Sequence, residues 1–477
     1  MKNVIHVFIY TLCLYTCNNK DKAQHGAEQS HVHTSIIQSE IDSLVSHYLK
    51  LDIFSGVVLV AEKGEIIFHK AYGLSDRATN SPNTTGTLFD IGSMNKTFTS
   101  IVVKQLIAER KLDMEDHLTD FIDGFKDPNV TKITIKQLLE HRSGFGDYHT
   151  PDYFELPKSE RLLNSIVERA KTTELNFEPG EEDEYSNLGY VLLGAVIEKV
   201  SGKSYFEMVK ERIIDPLKLK NTYLNDFSDL GPRIAKGYYY TPLGQLEVSA
   251  PTQDVPNPDG GFLSTTSDIL KFYRSFYYDD LLLSDEIKSK DPMFIYLRKL
   301  PPGKATVAAG GFEGFNSALF QVYHDDLTII VFANMDEPVA EHLAMDILSL
   351  TRGETPEKPK LPAIQNVRIQ YEKNGLDFIK TNFEELTTNY HPEDPKDFIL
   401  NDLGYAYLYG ANNPSKAEEL FKLNTDLFPD IANCWDSYGE VLMNQNKIKE
   451  AELAYKRALK IRPELESAAM ALKKLTL

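Results

Sequence analysis

The sequence predicts an α+β domain, an antiparallel sheet flanked by helices and carrying a large helical insertion, followed by an all-α helical-repeat unit. Three observations predict it. Runs with strand character stand at residues 55–72 and again at 316–334, with helix-patterned sequence between them. A stretch rich in proline and lysine, 351–365, then interrupts the chain. Beyond it, particular residues recur 34 positions apart.

The chain opens with Lys2 and a short apolar run, Val4 to Leu14. That run is too short to span a bilayer comfortably and fits the core of a signal peptide. It ends in Leu14-Tyr15-Thr16-Cys17 before polar Asn18-Asn19-Lys20. Residues 1–17 therefore read as a signal peptide. In the lipoprotein reading Cys17 becomes the lipid anchor and the mature N-terminus, although Thr16 stands where a smaller residue is usual. The alternatives are plain cleavage or an uncleaved buried helix. The expected location is the bacterial cell envelope, as a periplasmic protein or an outer-membrane lipoprotein, with membrane contact only through the lipid. Residues 18–34, including His31 and His33, read as a polar tether.

The first folded unit is expected over 35–350. An amphipathic helix, Ile36 to Leu51, leads into two strands, Ser55 to Ala61 and Glu65 to Tyr72, joined at Lys63-Gly64 as a hairpin. Helices dominate from Met94 to Asp215. Strands return at Asn316–Tyr323 and Leu327–Asn334, turning at His324-Asp325-Asp326, and a helix at Val339–Leu350 closes the unit. Strands at both ends imply one sheet built from both termini, with a ligand groove between sheet and insertion.

After the linker at 351–365, residues 366–477 read as a helical region with about two repeats. Ala417, Phe421 and Pro429 recur as Ala451, Tyr455 and Pro463, which is the tetratricopeptide period. Trp435, Tyr438 and Gly439 suit the first helix of such a repeat. Leu403-Gly404 stands in the corresponding place of the preceding repeat, shifted in register by a single residue. A helix at Gly375–Tyr390 precedes them. Such a unit offers a surface for a protein partner.

Composition narrows the function. The 477 residues are 42% hydrophobic and 25% charged, ordinary globular values. A net charge of −19 argues against a nucleic-acid partner. Outside the leader Cys434 stands alone, so the mature chain has no intramolecular disulfide, and that thiol is expected to be a small buried hydrophobe. No cluster shows metal-ligand spacing, and neither metal nor cofactor is expected.

The chemistry-bearing residues begin with Ser93-Met94-Asn95-Lys96. Positions three apart share a helical face, so Lys96 reaches the Ser93 hydroxyl. In the first turn of a helix, Ser93 would feel a positive dipole that favours developing negative charge. A desolvated lysine loses its proton more readily and becomes a base. The second element is Tyr185-Ser186-Asn187, framed by Pro179-Gly180 and an apolar helix from Leu188. Tyr223-Leu224-Asn225 matches the same bare pattern and reads as a loop. Ser201-Gly202-Lys203-Ser204 reads as a helix-ending turn rather than a phosphate loop. His141, beside Arg142, offers a rival serine–histidine scheme, or shapes the pocket.

Phe89–Phe98, Leu138–Gly144, Tyr185–Glu198 and Gly260–Asp268 together resemble the beta-lactamase-related serine hydrolases, in the family's order and spacing over about residues 35–350. The resemblance implies the beta-lactamase/transpeptidase-like fold. It also implies that Ser93 is the acylated nucleophile, that Lys96 and Tyr185 share the proton transfers, and that Asn187 orients the substrate. The family's third motif is a strand bearing Lys or His, a small residue, then Gly. Aligned here it falls on Ala308-Ala309-Gly310, so the basic residue is missing. Gly310 and Gly311 still permit close approach, and the Gly311 N–H is expected to join that of Ser93 in an oxyanion hole. The expected partner is a small-molecule or peptide-like acyl substrate, an ester or amide of D-amino-acid or peptidoglycan-derived type. The alternative is a catalytically inactive penicillin-binding-like adaptor acting through its repeats.

Overall fold

The computed structural model describes residues 28–249, 255–336, 338–388 and 395–475. Cys17, the leader and residues 18–27 of the tether lie outside the described residues. The chain divides into two compact units. The first holds the residues up to Tyr238 and Val248–Glu357, and the second holds Tyr239–Glu247 and Lys358–Leu477.

The first unit is built on a five-stranded antiparallel sheet. Its strands are β1 (Gly56–Glu62), β2 (Glu65–Tyr72), β3 (Ala305–Phe312), β4 (Phe315–Val322) and β5 (Leu327–Ala333), in the spatial order β2-β1-β5-β4-β3. The first and last strands pair at the centre, Gly56 opposite Ala333 and Glu62 opposite Leu327. The sheet is thus built from both termini, as the sequence implied. Residues Val57 to Ala61 are buried on both faces, which suits their β-branched run. Val57, Leu59 and Ala61 join the core of the helical insertion, and the residues between them point to the opposite face.

Helix α1 (Glu28–Lys50) and the last helix of the unit (Val339–Thr351) pack together, the latter against β4 and β5. The Tyr48 hydroxyl donates to Asp346 Oδ2 at 2.6 Å between them. Helix α1 begins at Glu28 rather than Ile36, so some of the segment read as tether is helical. On the other side, helix α2 (Asn95–Ala108) and helix α3 (Asn187–Ser201) are largely buried within the insertion. The start of α3 is fixed by Ser186, whose Oγ accepts from Gly189 N–H at 2.9 Å. Gly202, left-handed at φ +71°, ends it, so 201–204 is the helix-ending turn the sequence indicated.

Among the elements the sequence pattern does not mark, two bear on the site. Phe89–Asp90 and Leu263–Ser264 form a two-residue strand pair that ties the segment before α2 to the Gly260–Asp268 stretch. Edge strand β3 is expected only by resemblance, and its run of small residues, Ala308-Ala309-Gly310-Gly311, carries no strand alternation.

The second unit is all-helical apart from the Tyr239–Glu247 excursion. Its helices are α4 (Ala363–Asn374), α5 (Leu376–Thr387), α6 (Lys396–Tyr405), α7 (Pro414–Leu427), α8 (Ala432–Asn444), α9 (Ile448–Ile461) and α10 (Glu466–Leu475). The excursion joins it through the Gln365 amide, which donates to Thr241 O at 2.7 Å. The unit starts earlier than expected, because Ala363 opens a helix inside the segment read as linker. A packing relation recurs within it. Gly404 lies against the Phe421 ring and Gly439 against the Tyr455 ring, so an added Cβ would stand 2.7 Å from a ring carbon in each case. Cys434 is buried, and burial pushes its thiol up to about 12.

Candidate active site

The backbone before α2 makes the turn that carries Ser93. Gly92 is left-handed at φ +50°, and Gly92–Met94 form a single 3₁₀ turn that runs directly into α2. Ser93 therefore sits on that turn rather than within the α-helix, and Lys96 sits in the first turn of α2. The turn is pinned at both sides. Ile91 N–H donates to Phe262 O at 3.0 Å, and Ser317 Oγ donates to Ile91 O at 3.0 Å.

Edge strand β3 closes on this turn. A Cβ on Gly310 would stand 2.1 Å from Ile91 O and 2.6 Å from Ser93 N, and one on Gly92 would stand 2.7 Å from Gly311 N. The backbone nitrogens of Ser93 and Gly311 thus line one seam, where a side chain on Gly310 would intrude.

Ser93 receives two contacts. Lys96 Nζ donates to Ser93 Oγ at 3.0 Å, and the Tyr185 hydroxyl donates to the same oxygen at 2.7 Å. Lys96 Nζ also donates to Asn187 Oδ1 at 2.6 Å and to Asp259 O at 2.9 Å. Its ammonium lies 4.9 Å from the Tyr185 ring centre and 5.7 Å from that of Tyr190. Burial dominates its titration and brings it down to about 8, with the charges of Asp259 and Asp147 pulling the other way. Burial also drives the Tyr185 phenol well above its ordinary range. The environment therefore shifts the two groups on Ser93 in opposite directions, bringing the neutral amine of Lys96 within reach of neutral pH while Tyr185 keeps its phenol proton.

Tyr185 is held by His141. The His141 carbonyl accepts from Glu184 N–H at 3.0 Å, its Nδ1 accepts from Ser186 N–H at 3.1 Å, and its ring lies 4.6 Å from the Tyr185 ring. Burial first, and then the Lys96 charge, lower its titration to about 4. The pocket-shaping role thus fits His141 better than the serine–histidine scheme. Tyr223 engages Arg233 instead, accepting from Nη1 at 2.9 Å.

Residues that the sequence did not single out complete the floor. Asp259 gives its carbonyl to Lys96, while its buried carboxyl accepts from the Tyr148 hydroxyl at 3.1 Å. Burial raises that carboxyl's pKa. Asp147 Oδ2 accepts from Asn187 Nδ2 at 3.0 Å, and His149 Nδ1 lies 3.3 Å from the same nitrogen. The available signal was position. Asp259 directly precedes the Gly260–Asp268 stretch, and Asp147 to His149 follow closely on Ser143-Gly144.

The third-motif position holds no cation. Ala308 lies in β3 opposite Leu319.

Comparison with known proteins bears on the first unit as a whole. Residues 41–351 match the family described as Beta-lactamase. The chain is 29% identical over 313 residues to Penicillin-binding protein 4* of Bacillus subtilis (strain 168), covering 60% of this chain and 69% of that one. It is 29% identical over 317 residues to the teichoic acid D-alanine hydrolase of Staphylococcus aureus (strain NCTC 8325 / PS 47), covering 64% and 77%. Its structure resembles FmtA from Staphylococcus aureus with a TM-score of 0.55 and 26% identity, over 68% of this chain and 91% of that one. With fold and sequence in agreement across the first unit, this chain belongs to the beta-lactamase family and is a serine hydrolase acting on amide or ester bonds.

Proposed function

We propose that the chain cleaves an ester or amide without a free carboxylate, of D-amino-acid or peptidoglycan-derived type, through a covalent acyl-enzyme on Ser93. One observation carries the reading. Ser93 Oγ is contacted both by a buried lysine brought down to about 8 and by a phenol held protonated. At pH 7 about a tenth of such a lysine is neutral, against less than a thousandth at its ordinary value.

In this scheme neutral Lys96 takes the hydroxyl proton as Ser93 Oγ bonds to the acyl carbon. The carbonyl electron pair moves onto oxygen, and the N–H groups of Ser93 and Gly311 stabilise the resulting charge. The bond to the leaving oxygen or nitrogen then breaks as the proton passes from Lys96 through Tyr185 to that atom. Water repeats the sequence at the acyl carbon, releasing the acid and restoring Ser93.

The alanine at position 308 supports a substrate without a free carboxylate, because no lysine or histidine stands there to meet one. The teichoic acid D-alanine hydrolase among its relatives supports D-aminoacyl esters as the class to test first. Those relatives also support a place in the cell envelope, with Cys17 as lipid anchor, and Cys17→Ala should release the chain from the membrane fraction. The recurring Gly–aromatic packing of the second unit supports a tetratricopeptide-like surface that binds a protein partner. The decisive experiment is intact mass spectrometry after exposure to a fluorophosphonate. Wild type should gain one adduct and Ser93→Ala none; an equal adduct on the variant refutes the assignment.

A further inference from the structure

Asn187 is buried, and both ends of its amide are engaged. Its oxygen accepts from Lys96 Nζ at 2.6 Å, while its nitrogen donates to Asp147 Oδ2 at 3.0 Å and faces His149 Nδ1 at 3.3 Å. A primary amide has one acceptor end and one two-donor end, and an ammonium has only donors. Turned the other way, Asn187 would set its NH₂ against the Lys96 ammonium and its oxygen against a carboxylate. Only one orientation satisfies both neighbours, and Asp147 is the neighbour that accepts without being able to donate.

We propose that Asp147 is a positioning residue for Lys96. It takes the Asn187 nitrogen, turns the amide oxygen onto the lysine, and so fixes the amine against Ser93 Oγ. The inference rests on Ser93 being the acylated nucleophile, and it deepens that reading in two ways. It makes Asn187 a strut between Asp147 and Lys96, with its amide oxygen on the lysine and one of its donors committed to Asp147 in the free enzyme. It also places a fixed negative charge in the surroundings of the base.

The other groups around Lys96 do not duplicate this role. Asp259 hydrogen-bonds it through its backbone carbonyl and acts on its titration with its charge but does not touch Asn187, Tyr185 and Tyr190 present ring faces, and His141 carries its hydrogen bond to Ser186. Asp147 is thus the side chain among them whose hydrogen bond sets the direction of the lysine's amide acceptor. The Asp147 charge opposes the fall in the Lys96 pKa, so its removal moves the lysine to lower pH. That shift follows from the charge alone, so the positioning role is read from kcat: a residue that merely lent charge would move the pH midpoint and leave the alkaline plateau unchanged.

The test uses the full chain, Asp147→Asn and Asp147→Glu, with two readouts. The first is kcat and KM on a nitrophenyl ester across pH. The second is the ¹³Cε titration of Lys96 in lysine-labelled protein, assigned through Lys96→Arg, and it needs no substrate. In Asp147→Asn the lysine should titrate at lower pH, and kcat on the alkaline plateau should fall roughly tenfold with KM changed less than about twofold. Asp147→Glu should return the lysine midpoint toward wild type, because it restores the charge. An unchanged lysine midpoint in Asp147→Asn, or an unchanged plateau kcat, overturns the proposal. Failure of the acyl-enzyme reading shows separately, as absence of a fluorophosphonate adduct on the wild type.

Discussion

Replacing Gly310 with alanine tests the seam between β3 and the nucleophile turn. The added methyl would stand 2.1 Å from Ile91 O, 2.6 Å from Ser93 N and 2.9 Å from Gly92 C, and all three are backbone atoms. Ordinary contact begins near 3.4 Å, so strand and turn must separate by roughly 1 Å. That is the scale on which misplacing a catalytic group costs about 100-fold in rate. The overpacking itself costs about 1–3 kcal/mol, which a domain with this core can tolerate. Gly310→Ala should therefore remain folded, with kcat/KM on a nitrophenyl ester down about 100-fold. Gly86→Ala is the matched control, since its nearest atom is Thr84 Oγ1 at 3.8 Å. Full activity in Gly310→Ala, with the control also active, would refute the claim that this seam sets the geometry of Ser93.

The same site supports three further expectations. Because the neutral form of Lys96 is the base and burial lowers its pKa to about 8, kcat/KM should rise as pH increases through about 8. An acid limb near pH 10 would contradict the assignment. Lys96→Ala and Tyr185→Phe act on one oxygen, so the double variant should lose little more than the worse single one, and additive losses would mean they act independently. Neutral short-chain esters should be cleaved faster than D-Ala-D-Ala peptides, and Ala308→His should narrow the gap by roughly ten- to 100-fold, the contribution of one charge-assisted bond. Efficient D-Ala-D-Ala cleavage by wild type, with neutral esters untouched, would reverse this order.

The sequence exposed those residues of the site that act through local spacing. Ser93 and Lys96 are three apart and meet at 3.0 Å, and Tyr185 and Asn187 flank the cap that starts α3. It exposed the sheet for the same reason, since β1, β2 and β5 carry β-branched or aromatic runs and β4 adjoins β5 through the short turn at His324-Asp325-Asp326. What it concealed acts through tertiary placement. Asp259 serves Lys96 with a backbone carbonyl, which any residue possesses, so no side-chain pattern marks it. Asp147 and His149 reach Asn187 across about forty positions of chain, from a loop whose conformation local propensity does not dictate. The pair Phe89–Asp90 with Leu263–Ser264 is too short for periodicity to register. Helix α1 ran past its expected start because His31 and His33 weigh against an amphipathic pattern without being helix breakers.

The pairing of β1 with β5 also bears on how the polypeptide emerges from the ribosome. Val60 must find Ile329, and at ordinary synthesis rates of about 5–20 residues per second the wait is roughly 15–50 s. Throughout that interval the hairpin of β1 and β2 exists without its central neighbour, and Val57 to Ala61 have no core to enter. A nascent chain in that condition is a natural client for holdases. Any truncation before residue 327 should yield insoluble protein rather than a smaller working domain.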